Sequence, residues 1–121
     1  MEKCIIVGLG GFFGSVCRYL VGRIPIGGEG PFPWKTFAIN LLGAFILGAV
    51  SALADKSPSV SPNLVLMLKV GVCGGFTTFS TFAFESSEML SGGKTETAAL
   101  YMAASLLFGV AAVLAGRRLF S

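Results

Sequence analysis

Charged residues are spaced so sparsely along this chain that four stretches of about 20 residues run almost without them, and each is long enough to cross about 30 Å of hydrocarbon as a helix rising 1.5 Å per residue. They occupy residues 4–24, 35–54, 63–90 and 95–115. In lipid every backbone polar group needs a partner inside the protein, so spans of this length are read as helices. Composition agrees: 54% of the 121 residues are hydrophobic and 12% are charged, whereas a soluble domain this small would need far more polar surface. The expected fold is an all-α integral membrane protein, one domain over residues 1–121, with short loops. Pro25 and the Gly27-Gly28-Glu29-Gly30-Pro31 loop end the first span, Asp55-Lys56-Ser57-Pro58 ends the second, and Arg117-Arg118 ends the fourth. The third is too long for a simple span and is expected to be interrupted. Only Lys3 precedes the first apolar run and no small-x-small cleavage site closes it, so it is read as a retained span.

Several function classes fall away. The net charge of +3 comes with no basic face interleaved with aromatics, which argues against nucleic acid as a partner. There are no histidines, no plausible metal cluster and no convergent acid/base pair, so an enzyme is not expected. Cys4, Cys17 and Cys73 are odd in number and lie within spans, and are read as buried thiols. The Gly8-Leu-Gly10-Gly11-Phe-Phe13-Gly14 stretch imitates a dinucleotide-binding turn, but Phe13 stands at the third glycine position and no βαβ unit follows. In a membrane helix Gly10/Gly14 instead form a small-xxx-small face for close packing, as do Gly71/Gly75, Ala44/Gly48 and Ala112/Gly116.

The basic residues divide almost evenly across the membrane. Lys3, Lys56, Arg117 and Arg118 fall on one side, and Arg23, Lys35 and Lys94 on the other. So weak a positive-inside bias permits insertion in both orientations, and two oppositely inserted copies could then pair about a two-fold axis in the membrane plane. A fixed orientation set by one or two of these charges is the alternative.

The polar residues inside the spans point to function. Gly71-Val-Cys-Gly-Gly-Phe-Thr-Thr-Phe-Ser-Thr-Phe82 crowds glycines and hydroxyls where a lipid-facing helix needs none, a pattern suited to backbone opened to line a cavity or hold an ion. Asn40 lies well inside the second span and needs a partner, either a neighbouring helix or an anion accepting its N–H. Thr36 is four residues earlier on the same face, so the two could begin a polar track. Arg18 is about 9 Å from the end of its span, within reach of the interface by snorkelling or placed at a vestibule mouth to attract anions. Lys69 and Glu85 pose the same choice, with snorkelling favoured for Lys69. Phe79 and Phe82 are three apart among hydroxyls, and their positive ring edges could coordinate an anion weakly enough to release it.

Three motifs occur in order: Gly11-Phe-Phe-Gly14-Ser-Val-Cys-Arg18-Tyr19, Asn40-Leu-Leu-Gly43-Ala-Phe-Ile-Leu-Gly48, and the run from Gly71 to Phe82. Together the chain resembles the Fluc (CrcB-type) fluoride channels across all four spans. The resemblance implies an antiparallel, dual-topology homodimer in a bacterial-type inner membrane, with two pores that export fluoride passively and protect against its toxicity. It implies that Asn40, Phe79, Phe82, Thr36, Tyr101, Ser105 and Thr81 line the fluoride pore and that Arg18 and Glu85 stand at the vestibules. It also implies a helix break at Gly74 through Thr77 whose carbonyls, notably those of Gly74 and Thr77, hold a structural sodium ion on the dimer axis. Gly109 departs from the family, where a hydroxyl can occur, and is left out of the pore. Two rivals stand beside this reading. A small four-span proton-coupled or multidrug exporter would normally carry a carboxylate inside the first span, where this chain has only Arg18. A non-transporting assembly subunit would use the polar residues only to join helices.

Overall fold

The computed structural model describes residues 1–121 and is entirely helical. Helix α1 covers Glu2–Arg23, α2 covers Trp34–Lys56, and the third span is assembled from pieces: α3 (Pro62–Leu66), a π-helical segment (Met67–Cys73), α4 (Gly74–Phe76) and α5 (Phe79–Ser91). Helix α6 covers Thr95–Phe120. Four helical stretches, Glu2–Arg23, Trp34–Lys56, Pro62–Ser91 and Thr95–Phe120, are long and apolar enough to cross a membrane. The last continues past residue 115, where the sequence predicted its end, because Arg117 and Arg118 complete the final turn and complement the partial negative charge there.

The third span is broken at Thr77 and Thr78, where ψ swings to 159° and 113°. This places the break one turn later than the glycines. Gly74 is an ordinary helical residue, with φ −63° and ψ −39°, so the glycine pair does not open the backbone. The glycines serve packing instead. A Cβ on Gly71 would stand 2.8 Å from the Cα of Gly10, one on Gly75 would stand 2.6 Å from the Gly11 carbonyl oxygen, and one on Gly14 would strike the Val72 carbonyl. Backbone therefore meets backbone between α1 and the third span, as small-xxx-small faces allow. The second such pairing closes α2 on α6, the most extensive helix contact: Gly48 lies against the Val113 carbonyl and Gly116 against the Phe45 carbonyl.

The turns follow from local chemistry. Gly93, at φ 76°, ends α5 while the Lys94 amide reaches back 2.8 Å to the Met89 carbonyl, closing the helix terminus. Lys35 donates 2.9 Å to the Gly22 carbonyl and so occupies an acceptor at the end of α1. Only 17 of 121 residues are buried, and Phe12, Phe13, Leu106 and Leu107 are among many large apolar side chains on the outside. That inversion suits helices surrounded by lipid. Of the three free thiols Cys73 is buried, Cys17 is half-buried and Cys4 is exposed, which corrects the expectation of three buried thiols. Helix α1 buries only Gly10 and Gly14, so its other faces remain outward.

Replacing Gly71 with Val should separate α1 from the third span and destabilise the protein by about 1–3 kcal/mol, the usual cost of overpacking. Gly8→Ala should be neutral, because nothing lies within 4 Å of its new methyl. Thermal unfolding of both variants in detergent provides the comparison.

Candidate functional site

The break in the third span is held open from outside by a single side chain. The Thr78 amide donates to Asn40 Oδ1 at 2.8 Å, and Asn40 Nδ2 donates to the Thr78 carbonyl at 3.1 Å. Asn40 thus replaces the helix partners that Thr78 gives up. Its half-buried amide is satisfied by backbone, while the second N–H on Nδ2 remains for another acceptor. Both sequence readings of Asn40 are therefore compatible, one proton for each.

Thr78 also starts the helix that follows. Its Oγ1 accepts from the Thr81 amide at 3.2 Å, an N-cap, and donates to Thr81 Oγ1 at 3.0 Å. Thr77 turns its hydroxyl back to the Cys73 carbonyl at 2.9 Å. These bonds have a consequence for two carbonyls. In an unbroken helix the amides of residues 78 and 81 would bond the oxygens of Gly74 and Thr77. Here both amides go elsewhere, and the two oxygens lose those donors.

Around the break lies an open cleft of about 470 Å³ between α2, the third span and α6. Asn40, Thr77, Thr78, Phe79, Phe82 and Ser105 line it, together with Gly74. The rings of Phe79 and Phe82 have centroids 5.7 Å apart, inclined at 45°. Phe79 is 80% exposed, so this aromatic wall stands at the open side. Ser105 Oγ is buried with no hydrogen-bond partner, a free hydroxyl in the lining. No lysine or arginine lines the cleft.

Thr36, Glu85 and Tyr101 form a separate cluster. Thr36 Oγ1 donates to Glu85 Oε1 at 2.6 Å, and the Tyr101 hydroxyl donates to Oε2 at 2.8 Å. Glu85, half-buried, is thus the acceptor for two hydroxyls from α2 and α6. The protons of Thr36 and Tyr101 are committed to it. Tyr101 is fully buried and packs 5.1 Å from Phe82, so the cluster adjoins the cleft through that ring. Arg18 is half-buried on α1 and has neither a salt bridge nor a hydrogen bond. It does not line the cleft.

Thr78, Gly43 and Gly109 are among the lining positions that escaped the sequence reading. Thr78 was visible within the motif, but its tie to Asn40 spans 38 positions and has no local signature. Gly43 follows Asn40 by three residues and thus shares its helical face, a spacing that could have flagged it. A Cβ there would strike the Thr77 methyl, so Gly43 admits the broken backbone against α2. Gly109, excluded earlier because it lacks a hydroxyl, does line the cleft.

The arrangement defines a four-span membrane protein whose discontinuous third helix exposes polar groups in an apolar cleft near mid-span. The chain belongs to the CrcB family, described as "CrcB-like protein, Camphor Resistance (CrcB)", which it matches over residues 5–117. It is 47% identical over 117 residues to a protein of Chlorobaculum tepidum named "Fluoride-specific ion channel FluC", covering 96% of this chain and 92% of that one. Relatives of the same name from Chlorobium chlorochromatii and Allorhizobium ampelinum are each 44% identical, covering 93% and 96% of this chain and 87% and 94% of theirs.

Asn40→Ala would leave the Thr78 amide and carbonyl without partners, at a cost of about 1–3 kcal/mol. Hydrogen exchange should show faster exchange at the Thr78 amide, with α6 little changed.

Proposed function

We propose that the protein is a fluoride-selective channel of the bacterial cell membrane that lets fluoride leave the cytoplasm passively. The observation that carries this reading is the lining of the cleft. It has no cation to trap an anion, but it presents the unpartnered Ser105 hydroxyl, the second Asn40 N–H and two phenyl rings whose edges are positive. A small, strongly hydrated anion needs donors to replace its water, and donors this few bind weakly enough to release it. The names of the relatives at 44–47% identity supply the anion.

Fluoride enters acid-exposed cells as neutral HF and ionises in the more alkaline interior. An inside-negative potential then drives the anion outward, with about 2.3 kcal/mol per charge per 100 mV. The protein need only provide the path. Thr36, Tyr101 and Thr81 continue the polar track on either side of Phe82, with Arg18 drawing anions toward the entrance.

The functional unit in this reading is an antiparallel homodimer with two pores. The cleft is open along one side, with Phe79 projecting from it, and a second copy would close it into a path. The even division of basic residues permits the opposed insertion that such pairing requires. A two-fold axis at the break would also gather four carbonyls, those of Gly74 and Thr77 from each copy. No group of three His, Cys, Asp or Glu side chains converges in the chain, so a bound cation would take backbone oxygens. The displaced amides at Thr78 and Thr81 make these two carbonyls suitable for structural sodium, which would offset the cost of unpaired oxygens at mid-membrane. Its role is to hold the dimer together, not to move.

The test is fluoride efflux from liposomes containing the purified protein, started with a potassium ionophore and followed with an electrode. Rapid fluoride efflux with negligible chloride efflux is expected. Phe79→Ile and Phe82→Ile should each slow fluoride by at least about tenfold, the equivalent of 1.4 kcal/mol of barrier. Equal chloride and fluoride flux would refute selectivity, dependence on a proton gradient would indicate an exporter, and no flux would indicate an assembly subunit. Replacing sodium with a large organic cation during purification should weaken the dimer, as read by size-exclusion chromatography.

A further inference from the structure

Lys69 is the only charged residue between Lys56 and Glu85, and it lies seven residues into the third span. It is half-buried and forms neither an ion pair nor a hydrogen bond; the one salt bridge in the molecule joins Arg117 to Asp55 at the surface. Its position is governed by the π-helical segment Met67–Cys73. Bonding from i to i+5 stacks residue 69 beneath 73 and 74, and both of these line the cleft. Gly71 and Met67 instead meet Gly10 on α1. Lys69 therefore extends the cleft-lining face of the third span by one turn, toward the end where Pro62 begins.

Arg18 has the same character and lies beyond the middle of α1, toward its Arg23 end. It follows Gly14, which packs against Val72 and Phe76, by four residues, about 6 Å further along α1. Lys69 precedes Thr77 by eight residues. The chain thus carries two half-buried, unpaired cations, one in each half of the membrane. Were two copies to pair head to tail about an axis at the break, Lys69 of one copy would enter the membrane half that holds the partner's Arg18. Each face of the membrane would then carry one Lys69 and one Arg18, shared by the mouths that open there.

We infer that Lys69 is an anion-recruiting residue at the mouth of the conduction path, paired across the dimer with Arg18, rather than a lysine that merely snorkels to lipid headgroups. The inference rests on the channel reading above. A flexible four-carbon stem keeps the ammonium close to water, where it raises the local anion concentration without binding one tightly. One unit charge acting through water over about 10 Å changes that concentration about twofold. Because the effect is electrostatic and long-range, salt should remove it.

The experiment compares wild type, Lys69→Gln and Lys69→Arg in fluoride-efflux vesicles at ionic strengths of about 0.01 M and about 1 M, where the Debye length falls from about 30 Å to about 3 Å. Lys69→Gln should slow initial efflux about two- to threefold at low ionic strength and match wild type at high, while Lys69→Arg should match wild type at both. Equal rates for wild type and Lys69→Gln at low ionic strength would overturn the inference and leave the channel intact. A deficit that persists at high ionic strength would also overturn it, because that would mark a packing role. Absence of fluoride flux from wild type would overturn the channel reading and this inference together. Size-exclusion elution checks folding, and Lys69→Thr is read by the same criteria if the glutamine variant does not fold.

Discussion

The structure depends on an exchange of hydrogen bonds between a side chain and a broken backbone. A helix interrupted within a membrane exposes amides and carbonyls that water cannot reach, at a cost of several kcal/mol each when unpaired. Asn40 meets that cost at Thr78 from both sides, with its oxygen on the amide and its nitrogen on the carbonyl. The Thr78 hydroxyl then caps the resumed helix. What is left over, the carbonyls of Gly74 and Thr77 that lose those amides and a second Asn40 proton, joins the free Ser105 hydroxyl among the polar groups around the cleft. Stability and function draw on the same few atoms.

Packing makes this arrangement possible. Gly43 removes the side chain that would collide with Thr77, and Gly10 and Gly71 let α1 support the third span at backbone distance. On the far side of Phe82, Glu85 gathers the hydroxyls of Thr36 and Tyr101 and ties α2, α5 and α6 together. The carboxylate is thereby accommodated inside the bundle with a donor on each oxygen. The phenyl wall stands between this network and the cleft, touching both.

Much of this was legible in the sequence, and what escaped it shares a physical cause. Four spans and their ends follow from hydropathy and from Gly and Pro punctuation, because membrane thickness leaves little choice of length. The small-residue faces are also visible: Gly10 does meet Gly71, while Gly75 meets Gly11 and Gly14 meets the backbone at Val72 and Phe76. The break is expected at Gly74 through Thr77 and falls at Thr77 and Thr78, the far end of that stretch and not its glycines. Permissive residues show where a helix could open, whereas a partner on another helix decides where it does, and Asn40 reaches only Thr78. The partners of Glu85 are hidden for a similar reason: the hydroxyls it binds lie 49 and 16 positions away. Pairings over such distances have no periodicity to betray them.

The clamp also carries an implication for the order of assembly. Residues 62–91 contain no proline after Pro62, and on their own they could enter the bilayer as one continuous helix. The local cap from Thr78 to Thr81 favours a helix start there but supplies no partner for the Thr78 amide and carbonyl. The compelling group belongs to α2, which is synthesised earlier and would already be in the membrane when the third span arrives. In that order of insertion, discontinuity would be acquired on docking, as the incoming helix exchanges bonds of its own for those offered by a neighbour. A variant lacking Asn40 would still insert, but as a straighter rod that has not been told where to bend.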